Sequence, residues 1–392
     1  MPLTARTTWY TGCALLVPML AAAQVRDTTV AARVARIEQA LEVGGANGVR
    51  TFARLAERMP AAGTPAVSVA VLHDGQVHWA RAWGTLEAGG IAPADTGTLF
   101  QAASMSKPIA AMVALALVAD GRLSLDTDIG PQVGDAWHAR GPDGSAVTLR
   151  RLLNHTAETS PRGFLGYAAG RPLPTTEEIL AGRSPATSRP VIVDSSYAAR
   201  FRYSGGGYTV VQLLIERVTG RSLAEEAHRR LFAPLRLTRT TFAQPLPDAW
   251  AVNAARAHRP DGTMLPHRWN SYPEVAAAGL WTTPSDYARL LLAMRAAYRG
   301  ARGAVLPQAL AREALMPGTG AWGLGFGVRA DGDDVQFQHG GSNIGYKSVA
   351  VAWAGRGDGV VVMTNGERGG QLRRELMRAI FTEYGWSMLP EL

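Results

Sequence analysis

The chain of 392 residues holds one cysteine, Cys13, and two lysines, Lys107 and Lys347. A lone cysteine excludes a disulfide framework, and its place near the N-terminus excludes a cysteine nucleophile in a processed chain. With two lysines among forty basic residues, thirty-eight are arginine. Arginine stays protonated in proteins, so nearly every cation here is permanent. The formal net charge is +8, yet no basic run of five or more residues occurs, nor an aromatic-studded basic stripe. Nucleic acid is therefore not an expected partner. The eight histidines lack the HExxH pair or any other metal-ligand spacing, so no metal is expected. There is no G-x-S-x-G elbow, which sets aside the α/β-hydrolases. Solenoid-period repeats and low-complexity tracts are absent too. Glycine clusters at 205–207 and 323–327 lack the strand-to-helix context of a nucleotide loop and read as turns.

Hydrophobic residues make up 47% of the chain, enough for one large domain or a domain with an insertion. The N-terminus, "MPLTARTTWYTGCALLVPMLAAAQ", has Arg6 as a thin positive region, an apolar stretch from Trp9 to Leu20, and small residues at Ala21-Ala22-Ala23. This pattern predicts an export signal over 1–23, placing the mature protein in the periplasm or outside the cell without stable membrane insertion. The apolar run is short for a membrane span, and no other segment approaches that length without charge.

Residues 24–60 read as a helical lead-in, from apolar spacing in "VAARVARIEQALE" and "VRTFARLAERM". "AVSVAVLHDGQVHWARAWG" then reads as two strands around an Asp74-Gly75 turn. The stretch "SMSKPIAAMVALALVADG" has apolar residues on all sides, which predicts a buried helix ended by Gly121. From about 125 to 290 helices and loops rich in Pro, Gly and Ser alternate. "TTPSDYARLLLAM" starts with Thr283 as cap, Pro284 at the first position and Asp286 at the third, a capping-box arrangement. Beyond 320 the strand period returns, and the chain closes on a helix. Strands at both ends and helices between them predict an α+β fold. An antiparallel sheet is flanked by helices, and a mostly helical subdomain is inserted at about 125–290 into a domain spanning 61–392.

Ser104 and Lys107 lie three residues apart at the start of the buried helix and share a face. A serine hydroxyl attacks carbonyls poorly unless a neighbour accepts its proton. Arginine cannot be that neighbour, whereas a desolvated lysine can. Its pKa must fall from about 10.4 by roughly three units to serve near neutrality, a differential of about 4 kcal/mol. The bland alternative is a serine cap and a solvated lysine. The opening of the most apolar helix in the chain is an odd place for a solvated charge.

These residues also carry a resemblance. "LFQAASMSKPIAAM" resembles the Ser-x-x-Lys segment of the penicillin-recognising serine hydrolases, the group of class C β-lactamases, D-Ala-D-Ala carboxypeptidases and related esterases. "RLLNHTAE", "FRYSGGGYTVVQLLIERVTG", "AAGLWTTPSDYARLLLAM" and "WGLGFGV" resemble further landmarks of that group, from about Pro65 to the C-terminal helix. The resemblance implies a β-lactamase/transpeptidase-like fold and no cofactor. It also implies hydrolysis of an ester or amide in a small-molecule or peptide substrate through an acyl-enzyme on Ser104. Lys107 and Tyr203 would move protons, and His339, Gly340 and Gly341 would occupy the place of the Lys-Thr-Gly strand. The backbone N–H groups of Ser104 and Ser342 would form the oxyanion hole, and Asn365 would help bind a substrate carboxylate.

Two departures stand near the site. Gly205 replaces the asparagine of the Tyr-x-Asn element, which removes a contact to an acyl amide and leaves a gap open to other substrates or water. His339 replaces a lysine and is mostly neutral at pH 7, weakening the attraction for a carboxylate. Both argue against an efficient β-lactamase and for a peptidase or esterase. The competing expectation is a cell-wall peptide or penicillin sensor that is acylated without turnover. The sequence does not fix the acyl group or the oligomeric state.

Overall fold

The computed structural model describes residues 28–44, 50–141, 144–194 and 201–387. The signal-like segment 1–23 and Cys13 lie outside them. Among the described residues no helix is long and apolar enough to cross a membrane.

The centre is a six-stranded sheet in the order Gln76–Gly84, Ala66–His73, Gly359–Thr364, Tyr346–Trp353, Asp334–Asn343, Gly327–Asp331, with every pair antiparallel. The two N-terminal strands pair with the C-terminal ones, so both chain ends build one sheet. Between the first two strands Asp74 and Gly75 take φ of 52° and 76°, the left-handed pair that a two-residue hairpin of this twist requires.

Side-chain alternation sorts the strands onto two cores. Val67, Val69, Val71, Val349, Val351, Val360 and Val362 face the C-terminal helix Gly369–Tyr384 through Leu372, Leu376 and Ile380. Ala66, Ala70, Leu72, Ala350, Val361 and Met363 face the larger core. The small alanines there let the helix Pro284–Tyr298 lie close to the sheet. In the helix Ser106–Ala119, twelve of fourteen residues are buried, the outcome its all-round apolar sequence predicts.

Three local readings differ. The lead-in is not wholly helical: after helix Val30–Gln39, strands Leu41–Gly44 and Thr51–Ala53 pair before helix Leu55–Ala61. Phe52 is the middle residue of that short strand and pairs with Glu42, so sheet pairing overrides helical spacing there. The subdomain limit at about 290 falls inside helix Pro284–Tyr298, which docks on the sheet end through Arg295 and the Gly355 carbonyl. Thr283 caps that helix by accepting from Asp286 N–H. The Asp286 carboxylate, however, turns to Arg239 N–H and the Thr240 hydroxyl, so half of the expected box ties two segments together instead.

Candidate active site

The short turn Ala103–Met105 leads into helix Ser106–Ala119 and carries Ser104. Ala103 adopts φ +52°, a left-handed conformation that costs on the order of 1 kcal/mol for a residue with a side chain. The surroundings hold it there. The Ser106 hydroxyl donates to the Ala103 carbonyl at 2.6 Å and accepts from Leu280 N–H at 2.9 Å.

Lys107 lies in the first turn and is 1% exposed. Its Nζ is 3.1 Å from Ser104 Oγ and donates to the Ala277 carbonyl at 2.8 Å. Aromatic rings surround it, with Tyr203 at 4.9 Å and Tyr208 at 5.8 Å from Nζ to ring centroid. Among the described residues no carboxylate pairs with this amine. Burial alone therefore acts on it, and pulls its pKa from 10.5 down to about 7, because a low-dielectric surrounding penalises the charged form. A neutral amine keeps two N–H groups and one lone pair. One N–H satisfies Ala277, which leaves the lone pair for the Ser104 proton.

The Tyr203 side chain faces Ser104, and burial raises its pKa above the usual phenol value, with Ser104 and Arg162 only partly offsetting that. Tyr203 is thus a protonated phenol beside an easily neutralised amine. Its resting form is the hydroxyl, not the anion.

His339 is 4% exposed. Its ring stands 5.3 Å from Trp322 and 6.0 Å from Tyr203. Burial first and the neighbouring Lys107 second depress its pKa from 6.5 to about 3. Neutral His339 donates from Nδ1 to the Gly340 carbonyl at 2.6 Å, which leaves Nε2 as an acceptor. The strand Asp334–Asn343 pairs on one side with Tyr346–Trp353 along the whole stretch from Gln336 to Asn343. On its other side the pairing with Gly327–Asp331 stops at Gln338. Residues 339–343 thus form an open sheet edge, to which an extended substrate can add as a strand. Gly341 fits there because a Cβ would sit 2.2 Å from the Ala102 carbonyl and 2.1 Å from Ser348 Oγ. That close approach lays Gly341 and Ser342 beside the Ala102–Ser104 backbone.

Gly205–Gly207 are not a turn. They open helix Gly205–Thr219, capped by the Ser204 hydroxyl accepting from Gly207 N–H at 2.9 Å. A Cβ at Gly206 would lie 2.2 Å from the Ser160 carbonyl, and one at Gly205 would lie 3.1 Å from both the Arg162 carbonyl and the Phe164 ring. The expected gap at Gly205 is therefore filled by the loop 159–164, which only glycines admit so close.

Asn365 is also corrected. It is fully buried, accepts from Ala66 N–H at 2.8 Å and donates to the Leu86 carbonyl at 3.1 Å. Its amide braces the sheet and cannot reach a substrate.

Sequence reasoning passed over His155, Trp322 and Arg162. His155 stacks on Tyr203 at 4.4 Å between centroids and accepts from Ser204 N–H at 3.1 Å. Burial holds it far below the usual imidazole pKa, so it stays neutral and orients the Tyr203 segment. Its signal was its place in the segment "RLLNHTAE". At the opposite end of the sheet, His73, Asp74 and Asp358 bring metal-ligand atoms within 4.8 Å of one another, but Arg356 and His73 already pair with Asp358.

With this geometry in place, comparison with known proteins gives one consistent outcome. The family model described as Beta-lactamase matches residues 52–383. The chain belongs to the beta-lactamase family of serine hydrolases. It is 28% identical over 357 residues to penicillin-binding protein 4 of Amycolatopsis lactamdurans, covering 84% of this chain and 88% of that one. It is 27% identical over 303 residues to esterase EstB of Burkholderia gladioli, covering 67% and 74%. Among solved structures, the D-amino acid amidase of Ochrobactrum anthropi SV3 superposes with a TM-score of 0.65 at 21% identity, over 84% of this chain and 96% of that one. That last likeness concerns the fold.

Proposed function

We propose that the protein hydrolyses an ester or amide through an acyl-enzyme on Ser104. Lys107 takes the proton of the attacking hydroxyl, and Tyr203 carries it toward the leaving group. The backbone N–H groups of Ser104 and Ser342 receive the developing oxyanion, worth on the order of 10²–10³ in turnover for each donor. Substrate lies along residues 339–343. The observation that carries this reading is a buried amine 3.1 Å from a serine hydroxyl, with no carboxylate among the described residues to keep it charged. Esters and short peptides fit better than β-lactams along this strand, since a neutral His339 places no fixed charge on the strand itself for a lactam carboxylate. The relatives include a protein named for penicillin binding and one named as an esterase, which frames the substrates to try.

Intact-mass spectrometry after incubation with a penicillin, a D-Ala-D-Ala peptide and a short p-nitrophenyl ester tests the proposal. Added mass on the wild type that clears with time, and none on Ser104→Ala, is the expected result. Mass that stays without turnover would make the protein an acylated sensor. Ester turnover surviving Ser104→Ala would remove Ser104 as the nucleophile. Export belongs to the same proposal, and sequencing the N-terminus of secreted protein for a start near residue 24 checks it.

A further inference from the structure

Thirty-eight arginines make an unpaired guanidinium commonplace on this surface, but Arg162 stands at the site itself. The loop that carries it is clamped on the start of helix Gly205–Thr219 by backbone alone. Gly205 N–H donates to the Arg162 carbonyl at 2.9 Å, and Gly206 N–H to the Pro161 carbonyl at 3.0 Å. The side chain is left free of that clamp. It lies over the Tyr203 ring, with Cζ 5.6 Å from the centroid, and Tyr203 in turn faces Ser104. Among the described residues the guanidinium has no hydrogen bond or ion pair, whereas nearby Arg151 and Arg202 are held by Glu158 and Asp194. Arg162 is also solvent-exposed.

The other basic groups near Ser104 offer no comparable charge to a substrate. Lys107 and His339 are buried and readily neutral. Arg373 gives Nη1 to the Ser348 carbonyl at 2.6 Å. It lies on the side of the strand toward which a Gly340 side chain would point. Alternation along a strand puts that side opposite to Gly341 and Ala102. Among the described residues Arg162 is therefore a permanent, accessible cation at the mouth.

We propose that Arg162 determines specificity by selecting substrates with an anionic substituent, a carboxylate above all. The proposal rests on the serine-hydrolase reading above. A planar guanidinium with all its N–H groups unspent binds a carboxylate through paired charge-assisted bonds. Stacking on Tyr203 limits the directions it can take, so the anion is held beside the reacting hydroxyl. The cation that the strand lacks at residue 339 is then supplied from the opposite wall.

The test compares matched esters. Mono-p-nitrophenyl glutarate is set against p-nitrophenyl pentanoate, and 4-carboxyphenyl pentanoate against phenyl pentanoate, so that the carboxylate lies on the acyl side in one pair and on the leaving group in the other. The readout is the ratio of kcat/KM, charged over neutral, in wild type, Arg162→Gln and Arg162→Lys. At least one ratio should fall by about tenfold in Arg162→Gln, with partial recovery in Arg162→Lys, and shrink with added salt. Ratios unchanged in both pairs would overturn the proposal. So would equal losses on charged and neutral esters with a shifted pH profile, which would mean that Arg162 acts only through Tyr203. The loop bonds are made by backbone, and thermal melting of Arg162→Gln near the wild-type temperature verifies that they persist. Failure of the hydrolase reading looks different, because Ser104→Ala would then leave turnover of all four esters intact.

Discussion

The two lysines of this protein occupy opposite kinds of surroundings. Lys107 is sunk among aromatic rings, and its polar partners are a hydroxyl and a carbonyl. Lys347, on the interior strand Tyr346–Trp353 of the sheet, donates to the Glu367 carboxylate and the Asn343 carbonyl, and its side chain is 13% exposed. The same amine is thus a readily neutral base in one place and half of an ion pair in the other. What separates them is the presence of one carboxylate. Burial without a counter-charge lowers a lysine pKa, and burial with one opposes that shift. In a chain that writes thirty-eight of its forty basic side chains as arginine, residue 107 is a cation able to give up its proton, which arginine could not do.

That contrast breaks most sharply at residue 107. Lys107→Arg preserves charge but removes the base, and kcat/KM for an activated ester should drop by about 10³ or more. Lys347→Arg should stay within about threefold, since an ion pair tolerates either cation at moderate cost. Equal losses in the two variants, measured by steady-state kinetics, would dissolve the distinction. Next in size, Tyr203→Phe should lower kcat by about 10² as a proton relay is lost. An unchanged kcat would leave Lys107 acting alone.

The pH dependence sharpens the comparison further. Lys107 titrates at about 7, so kcat/KM should rise with pH below about 7 and level above it. His339, depressed to about 3, should contribute nothing to that limb. Stability should follow the same amine. In the unfolded chain it holds its proton up to about pH 10.4, whereas in the folded chain it releases it near 7. Between those values the unfolded state binds more protons, so folding stability gains up to about 1.4 kcal/mol per pH unit. Denaturant midpoints between about pH 7.5 and 9 should therefore climb in wild type and flatten in Lys107→Met. A slope that survives in Lys107→Met would assign the effect elsewhere. The smallest effect belongs to Lys347→Ala, which should cost about 1 kcal/mol through the lost pair with Glu367 and shrink in high salt.

Much of the site was legible in the chain. Ser104 and Lys107 were marked by their spacing and by the apolar helix they open, and the strands by period-two alternation. Tyr203 and His339 were legible only through resemblance, because an isolated tyrosine or a "HGG" carries no periodic signal. His155, Trp322 and Arg162 escaped because their meaning lies in contacts made across large sequence separations. Asn365 was misread for the same reason: its partners, Ala66 and Leu86, lie roughly 280–300 residues away in the chain. The triple glycine was read as a turn because the loop that demands small residues there is not adjacent in sequence.

By itself, the sequence determined most of the secondary elements, the buried helix and the Ser104–Lys107 pair that opens it. These follow from local periodicity and from the chemistry of single side chains. Only the tertiary structure decided that no carboxylate meets Lys107, that Tyr203 stays protonated, that Gly205 is filled, and that an unpaired Arg162 overlooks the site. Protonation and charge are set by desolvation and by neighbours brought together from distant segments, and no window along the chain contains them.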